Sequence, residues 1–344
     1  MNLSELRRDL RFTTNLLLRR PFDVLVQVTN RCNMKCSFCD FWPHGATARE
    51  ELQVAEYRRV ASELASLGCF IVSVEGGEPF VRPDLVEIVG AFAERGHLPV
   101  VYTNGWYADA DKARALFAAG LTQVGISIDY PEARRHDAKR GLDGAFARAW
   151  EAVEAFREAA PHGGRQVHVM TVLMKDNQRD IEELLRLSAR RRVGHYVTLL
   201  STAGFRRGRS SSSADRAPEG AFADELLALR RRYKHFRAPS DYLRLAASYA
   251  DGGAMPTCRA GVQTFNIDHL GNVSACIERI DKPVGNVREE HLVSLHAKLQ
   301  GDEERAEVGS CQKCCTICRG MGQTFGAGGS LRGWWELATR MRSH

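Results

Sequence analysis

Three cysteines stand at close spacing near the start of the chain. Cys32, Cys36 and Cys39 form a C-x3-C-x2-C pattern within VTNRCNMKCSFCDFW, residues 28–42. Three thiolates can bind three irons of a [4Fe–4S] cube and leave the fourth iron open, whereas structural zinc takes four protein ligands. The nearest further candidate ligand is His44. The pattern therefore favours an iron–sulfur site over a closed zinc site and over three free thiols in a buried loop.

A second group of cysteines lies near the other end of the chain. The segment between Cys258 and Cys276 contains turn residues at 269–272, which predict a β-hairpin that brings both thiols to one point. The rest of the group follows in CQKCCTICRG, at Cys311, Cys314, Cys315 and Cys318. Two pairs of cysteines around a hairpin also suit tetrahedral zinc, so a zinc ribbon remains an alternative here.

The elements that position the first cysteines alternate between two types. Apolar, β-branched runs predict strands, and segments with helical periodicity separate them. The predicted strands are 24–29, 70–74, 99–103, 123–128, 167–173 and 195–200, and the predicted helices are 52–67, 83–95, 109–119, 143–159 and 179–192. Such β/α repeats predict a parallel sheet, curved or doubly wound, with its chemistry at the carboxyl ends of the strands.

The regular alternation ends after the sixth predicted strand. The polar stretch 204–220 predicts a loop or linker, and helical patterns follow at 219–236 and 240–250. From Met255 onward the chain is rich in Gly and Asn and holds six of the ten cysteines. This part is expected to form a small metal-stapled module that ends in a Trp-containing helix near 331–342.

Polar motifs follow several of the predicted strands. VEGGEPF comes after the second strand, YTNG ends the third and ISID ends the fourth, and RRHDAKRG follows. Glycines allow a close backbone approach, and a carboxylate pairs with an ammonium group. Taken alone, GGEP is also typical of a turn before a helix. The polar residues that these motifs contribute are Gly76, Gly77, Glu78, Asn104, Ser127, Asp129 and Arg140.

The cysteine loop, with Phe38 before its third cysteine, resembles the cluster-binding loop of the radical S-adenosylmethionine (radical SAM) superfamily, and the motifs above follow in the order of that family. The resemblance implies a partial (β/α)6 TIM-like barrel over 23–217. It also implies a [4Fe–4S] cluster on Cys32, Cys36 and Cys39. The open iron of that cluster binds SAM, and an electron from it releases a 5′-deoxyadenosyl radical.

The same resemblance implies further roles. Gly76, Gly77, Glu78 and Pro79 match the motif that holds the SAM amino group. Ser127 and Asp129 are expected to contact ribose or substrate. Asn104 is expected to support the loop or contact SAM, with simple capping as the alternative. Arg140 is expected to meet the SAM carboxylate, because its guanidinium can bind in a bidentate way that Lys cannot reproduce. Phe38 is expected to pack beside adenine.

The C-terminal cysteines resemble the auxiliary-cluster module called SPASM, or its shortened form Twitch, whose opening C-x(9–15)-G-x4-C fits Cys258 and Cys276. The full pattern then fails, because Cys318 comes two residues early and no cysteine follows. The resemblance therefore implies one auxiliary [4Fe–4S] cluster in 255–344, after a helical linker at 218–254. The expected ligands are Cys258, Cys276, Cys311 and Cys314, with Cys318 as the main substitute and Cys315 and Cys69 as bystanders.

Composition limits the class of protein. Lys and Arg exceed Asp and Glu by only 48 to 42 in 344 residues, so nucleic acid is not an expected partner. The segment 1–22 has no apolar run long enough to cross a membrane and no signal-peptide pattern, and an amphipathic helix at 3–18 is expected to pack on the protein body. We expect a cytoplasmic protein whose ten cysteines are thiols or metal ligands.

The resemblance implies an enzyme that removes a hydrogen atom from a substrate. Only 31 residues precede Cys32, which is too few for a leader-binding domain, and members with one auxiliary cluster include an aminoglycoside dehydrogenase. A small polar substrate of natural-product biosynthesis is therefore expected, namely a sugar, aminoglycoside or nucleoside that is dehydrogenated, epimerised or decarboxylated. A reductant such as flavodoxin or ferredoxin is the expected partner. The alternatives are modification of a peptide with a separate leader-binding partner and, distantly, a non-enzymatic zinc protein.

Overall fold

The computed structural model describes residues 20–41, 47–162, 166–201 and 222–320, together with positions 14 and 218. Its first six strands match the six predicted strands, with ends that differ by at most two residues. They are β1 (Asp23–Thr29), β2 (Ile71–Gly76), β3 (Leu98–Thr103), β4 (Gln123–Ser127), β5 (Val167–Leu173) and β6 (Gly194–Leu199). The predictions for His44 and for the segments 3–18 and 331–342 lie outside the described residues, apart from position 14, as does 204–220 apart from position 218.

Helices connect the strands, and the five predicted helices are confirmed. In chain order the helices are α1 (Val54–Leu67), α2 (Leu85–Ala93), α3 (Ala110–Ala118), α4 (Ala133–Arg140), α5 (Ala145–Ala159), α6 (Ile181–Arg190), α7 (Phe222–Arg232), α8 (Ser240–Ala250), α9 (Leu292–Leu299) and α10 (Asp302–Gly309). None of the described helices is long and apolar enough to cross a membrane.

The order of the strands decides between a curved and a doubly wound sheet. Strands β1 to β6 are parallel and lie side by side in sequence order. Because crossovers between parallel strands are right-handed, this order places all the connecting helices on one face, which is the arrangement of a partial barrel. Val24, Val26 and Val28 point into the helix-packed core. Leu25 and Gln27 alternate with them and point to the opposite side, called here the inner face.

The predicted hairpin between Cys258 and Cys276 is present and extends the same sheet. Strand β7 (Thr264–Ile267) pairs in parallel with β1. Strand β8 (Asn272–Ser274) pairs with β7 in the antiparallel direction. A short strand, β9 (Gly285–Asn286), pairs with β8. The hairpin turn includes Gly271 with a φ of 92°, a conformation that favours glycine. Cys258 and Cys276 therefore flank a hairpin at an edge of the barrel sheet.

Candidate functional site

The loop of Cys32, Cys36 and Cys39 leaves the carboxyl end of β1 and is held by the end of α4. The Lys35 amide donates to the Arg140 carbonyl at 3.2 Å, and the Ser37 amide donates to the Lys139 carbonyl at 3.1 Å. Helix α4 ends at Gly141, where a Cβ atom would lie 2.7 Å from the Lys35 oxygen. Loop and helix therefore approach each other closely because a glycine stands at this position.

The three thiols of the loop share an apolar environment. Cys36 is buried, Cys32 and Cys39 are half-buried, and all three contact a group of residues that includes Met34 and Phe38. Burial raises the pKa of the Cys32 thiol to about 12 and that of the Cys36 thiol to about 11. The thiolate forms thus require a strong positive partner, which an iron ion supplies.

The two glycines of GGEP allow β2 to approach the start of the cysteine loop. The Gly77 amide donates to the Thr29 carbonyl at 2.7 Å. A Cβ atom would lie 2.1 Å from the Thr29 oxygen at Gly76 and 2.3 Å from the Arg31 oxygen at Gly77. The two glycines thus allow β2 to lie directly against the backbone of Thr29 and Arg31, which lead into the cysteine loop.

Glu78 lies at the centre of the site and is fully buried. Its carboxylate accepts hydrogen bonds from the Phe80 amide at 3.0 Å, the Thr103 hydroxyl at 2.7 Å and the Asn104 amide at 2.7 Å. Burial raises its pKa against the effect of these bonds. Glu78 therefore joins the ends of β2 and β3. Pro79 begins the 3-10 turn Pro79–Val81 beside it and is also buried.

Asn104 links this carboxylate to the cysteine loop. Its side-chain amide donates to Asn33 Oδ1 at 2.9 Å and lies 3.9 Å from the Cys32 sulfur. Its own Oδ1 accepts from the Trp106 amide at 2.9 Å. Asn104 thus contacts the loop directly and caps the following turn as well.

Arg140 and Asp129 form a buried ion pair beside the loop. Arg140 Nη2 lies 2.6 Å from Asp129 Oδ2, and the Asp129 Oδ1 accepts from the Val172 amide at 2.9 Å. The positive charge of the guanidinium opposes the rise that burial causes in the pKa of the Cys36 thiol, and the guanidinium lies 5.3 Å from the centre of the Phe38 ring. Its buried Nε has no hydrogen-bond partner among the described residues. One cation thus connects the end of β4, the second cysteine and the aromatic residue before the third.

Ser127 completes the set at the carboxyl end of β4. It pairs in register with Met170 of β5 and is half-buried on the inner face. The structure therefore gathers the loop cysteines, Gly76 to Pro79, Asn104, Ser127, Asp129 and Arg140 at one end of the sheet. The sequence predicted this location from the strand ends alone.

An ion-pair network beside the site was not expected from the sequence. Glu51 is almost fully buried and bonds the guanidinium of Arg31 at 2.8 Å and 3.0 Å. Its second partner is Arg82, at 3.6 Å, which also pairs with Asp84 at 2.6 Å. The pair joins residues 20 positions apart in the chain, and no local motif signals it. Through these bonds Glu51 holds Arg31, the residue directly before Cys32.

Three of the C-terminal cysteines influence one another electrostatically. Cys258 is buried, Cys276 and Cys314 are half-buried, desolvation raises the pKa values of Cys276 and Cys314, and the charges of Cys314 and Cys258 raise the pKa of Cys276 further. The carbonyl oxygens of Cys258 and Cys314 accept hydrogen bonds from Arg305 and Arg319, at 2.9 Å and 3.3 Å. These contacts hold the backbone around the three thiols.

The other C-terminal cysteines lie in different surroundings. Cys311 packs against the main core, and Cys315 is fully buried with its carbonyl bonded to the Tyr242 hydroxyl at 3.1 Å. Cys318 packs with Cys39 against Leu25, Phe41 and Ile277. Cys318 thus approaches the inner face. Cys69, expected to be a core residue, is buried and contacts the Ile71 carbonyl at 3.2 Å.

Neither cysteine group has the geometry of a single-ion site. In the part of the chain that the structure describes, no three side chains of Cys, His, Asp or Glu converge on a point that could hold one metal ion. A [4Fe–4S] cube binds each thiolate through a separate iron, so it needs thiols around a larger centre. Each group has three buried or half-buried thiols, which suits such a centre.

Comparisons with known proteins agree with this site. Residues 26–188 match the family described as the Radical SAM superfamily. AdoMet-dependent heme synthase of Nitratidesulfovibrio vulgaris is 25% identical over 326 residues, which cover 85% of this chain and 86% of the relative.

Solved structures share the fold. SuiB of Streptococcus suis bound to S-adenosylmethionine is 16% identical, with a TM-score of 0.66 and coverage of 85% of this chain and 68% of SuiB. The anSMEcpe protein with bound AdoMet is 16% identical, with a TM-score of 0.63 and coverage of 94% and 97%. The matched family segment contains the cysteine loop, GGEP, Asn104, Asp129 and Arg140. The segment 26–188, which carries these residues, is thus similar to the Radical SAM superfamily.

Proposed function

We propose that this enzyme binds a [4Fe–4S] cluster through Cys32, Cys36 and Cys39, and that it removes a hydrogen atom from a small polar substrate. The observation that carries the proposal is the position of the three thiols. They lie in one loop at the carboxyl ends of the parallel strands, beside Glu78 and Arg140. Three cysteines leave one iron of a cube without a protein ligand, as SAM binding requires.

The residues around the loop provide contacts for SAM. The free Nε–H of Arg140 suits the SAM carboxylate, and the carboxylate of Glu78 suits its ammonium group, either directly or through the backbone that it fixes. Gly76, Gly77 and Pro79 hold that backbone, and Ser127 and Asp129 lie where ribose or substrate hydroxyls would bind. Phe38 offers a ring face for adenine, with Asn104 supporting the loop.

When bound, the cluster and SAM supply the electron and the 5′-deoxyadenosyl group with which the hydrogen atom is removed. The contribution of this chain is to position them and to exclude water. Met34, Phe38, Tyr130, Met174 and Leu200 form a buried apolar wall around the loop. A flavodoxin or ferredoxin is the proposed electron donor, and the cytoplasm is the proposed compartment, because it keeps thiols reduced.

We also propose one auxiliary [4Fe–4S] cluster in the C-terminal part. Cys258, Cys276 and Cys314 provide three ligands, which the mutual effects on their pKa values support. The fourth ligand comes from Cys311 or, alternatively, Cys318. If all four ligands are protein thiolates, the auxiliary cluster cannot bind substrate through iron, so its role is electron transfer or support of the fold.

For the substrate, the leading proposal is a sugar, aminoglycoside or nucleoside. The name of the heme synthase favours a second candidate, a tetrapyrrole precursor of haem, because that relative aligns over most of both chains. The two candidates differ in charge and size, so direct assays with representatives of each class would separate them.

The test of the cluster and SAM assignment is spectroscopic. The anaerobically reconstituted, reduced protein should show an electron paramagnetic resonance signal that changes when SAM is added. Replacing Cys32, Cys36 and Cys39 together by Ala should abolish the SAM-dependent change. Cys69→Ala is the matched control, since Cys69 lies in the core on the Ile71 carbonyl, and it should retain the change. A SAM response in the triple variant would refute the assignment of the loop.

A further inference from the structure

Three neutral polar side chains lie on the inner face of the barrel, away from the residues assigned above. Gln27 follows Leu25 on this face, and Asn266 of β7 is the register partner of Leu25. His168 of β5 is paired with Gly125, which is paired in turn with Tyr102. Partners in register point to the same side of a sheet, so all these side chains face the barrel interior.

Each of these buried side chains has at least one polar atom without the hydrogen bond that burial normally requires, although the Asn266 amide nitrogen donates to Ser274 Oγ at 3.5 Å. Gln27 is 2% exposed, His168 1% and Asn266 0%. Gln27 Nε2, Asn266 Oδ1 and both ring nitrogens of His168 have no hydrogen-bond partner in the described part of the chain. Leaving such groups unpaired is costly, so a buried polar set of this kind indicates a ligand or water that completes it.

The position of His168 is fixed on both sides. Its ring centre lies 6.0 Å from that of Tyr102 and 4.9 Å from that of Tyr196, both in edge-to-face contact. A Cβ atom at Gly125 would lie 2.6 Å from the Tyr102 ring and 2.7 Å from His168 Nε2. Burial lowers the pKa of His168 to about 3, so the ring is neutral and offers one donor and one acceptor.

The charges of the interior limit what can bind. Asp23 and Glu75 also lie on the inner face, and burial raises the pKa of Asp23 to about 6. Among the described positions of β1 to β8 that face inward, none is Lys or Arg. Outside the strands, the described residue Arg237 brings its guanidinium next to Gly194 at the amino end of β6. From the described residues of the strands, a ligand with several carboxylates would therefore meet negative rather than positive charge.

We propose that Gln27, His168 and Asn266 are specificity-determining residues that bind the hydroxyl, amide or amine groups of an uncharged or cationic substrate. This inference rests on the proposed radical SAM function and adds the charge class of its substrate. It favours a sugar or aminoglycoside over a carboxylated tetrapyrrole. Amide and imidazole groups bind such substrates through paired donors and acceptors, and they reject analogues that leave these groups unpaired.

Stability distinguishes a ligand-binding role from a structural one. His97 is the matched control, because it is 3% exposed and its ring nitrogens lie 3.1 Å and 2.9 Å from backbone carbonyl oxygens, so that its ring N–H has a carbonyl acceptor in either tautomer. His97→Phe should lower the melting temperature by roughly 5 °C or more. His168→Phe should leave it unchanged or raise it, and so should the nearly isosteric Gln27→Met. If His168→Phe and Gln27→Met both lowered the melting temperature as much as His97→Phe does, the proposal would be overturned.

The proposed charge of the substrate is tested with a small-molecule extract of the source organism. The extract is divided into three fractions, one retained on a cation exchanger, one retained on an anion exchanger and one retained on neither. The measurement is SAM-dependent formation of 5′-deoxyadenosine by the native holoenzyme above its basal rate. We expect at least fivefold stimulation by the cation-exchange or the unretained fraction, which His168→Phe and Gln27→Met abolish while keeping the basal rate. Stimulation by the anion-exchange fraction alone, or by no fraction, contradicts the inference. Loss of the basal rate itself would instead contradict the proposed function.

Discussion

At the scale of single residues, the structure changes the account of Glu78. The sequence indicated a carboxylate at a strand end and suggested one role, pairing with an ammonium group. The side chain is fully buried and accepts three hydrogen bonds that tie the turn after β2 to the end of β3. This tertiary arrangement joins residues up to 26 positions apart, so a local motif could not reveal it. Glu78 therefore holds together the backbone beside the cysteine loop, in addition to the contact with SAM that we propose for it.

Glu78→Ala is expected to weaken SAM binding and to destabilise the protein. The loss of the carboxylate leaves the Thr103 hydroxyl and the Asn104 amide unpaired, which should cost about 1–3 kcal/mol of unfolding free energy. The dissociation constant for SAM should rise about a hundredfold or more, whereas iron content is retained. Equilibrium binding and denaturant titration measure both quantities. Glu87→Ala, at an exposed position of α2, should change neither, and unchanged SAM affinity in Glu78→Ala would count against this role.

At the scale of elements, the sequence predicted most of what positions the site. Strands β1 to β6 are buried β-branched runs, and such runs are recognisable without tertiary information. Helix α4 was not predicted because ARRHDAKR has no apolar face, yet its end holds the cysteine loop. The hairpin was predicted, but its pairing with β1 was not, since a turn specifies local pairing and says nothing about the next strand.

Gly77→Ala tests the close approach of β2 to the loop. A methyl group at this position would lie 2.3 Å from the Arg31 carbonyl oxygen, so the backbone leading to Cys32 must move. We expect the variant to lose the loop cluster, about four of its irons, and the SAM-dependent spectral change. Gly90→Ala, within α2, is the control. Its new methyl group would have its nearest neighbour outside the helix at 3.9 Å, on Ala119, so it fits without a clash. It should keep all its iron and gain about 0.5–1 kcal/mol of stability.

At the scale of the whole molecule, both cysteine groups adjoin one continuous sheet. The first follows β1, and two members of the second, Cys258 and Cys276, flank the hairpin that pairs with β1. Cys39 and Cys318 contact the same apolar residues, Leu25, Phe41 and Ile277. Spacing alone could suggest the ligand sets, but it could not show that Cys318 approaches the inner face, because that depends on how residues 311–320 fold back on the barrel.

Iron content tests the proposal of two clusters. The reconstituted native protein should contain about eight irons and eight sulfides per chain. The variant without Cys32, Cys36 and Cys39 should keep about four irons, and replacement of Cys258 and Cys276 should remove the other four and destabilise the C-terminal part. Cys315→Ala should retain all of them. Two results would overturn the proposal of one auxiliary cluster. The first is about four irons in the native protein and none in the loop variant, and the second is about twelve irons in the native protein and about eight in the loop variant.

The central claim is that the cysteine loop and the residues around it cleave SAM reductively. The most direct measurement is the formation of 5′-deoxyadenosine and methionine from SAM by the reconstituted protein under anaerobic conditions with dithionite. The account predicts formation of both products by the native protein and none by the variant in which Cys32, Cys36 and Cys39 are all Ala. Formation of 5′-deoxyadenosine by the triple variant at the native rate would contradict the claim.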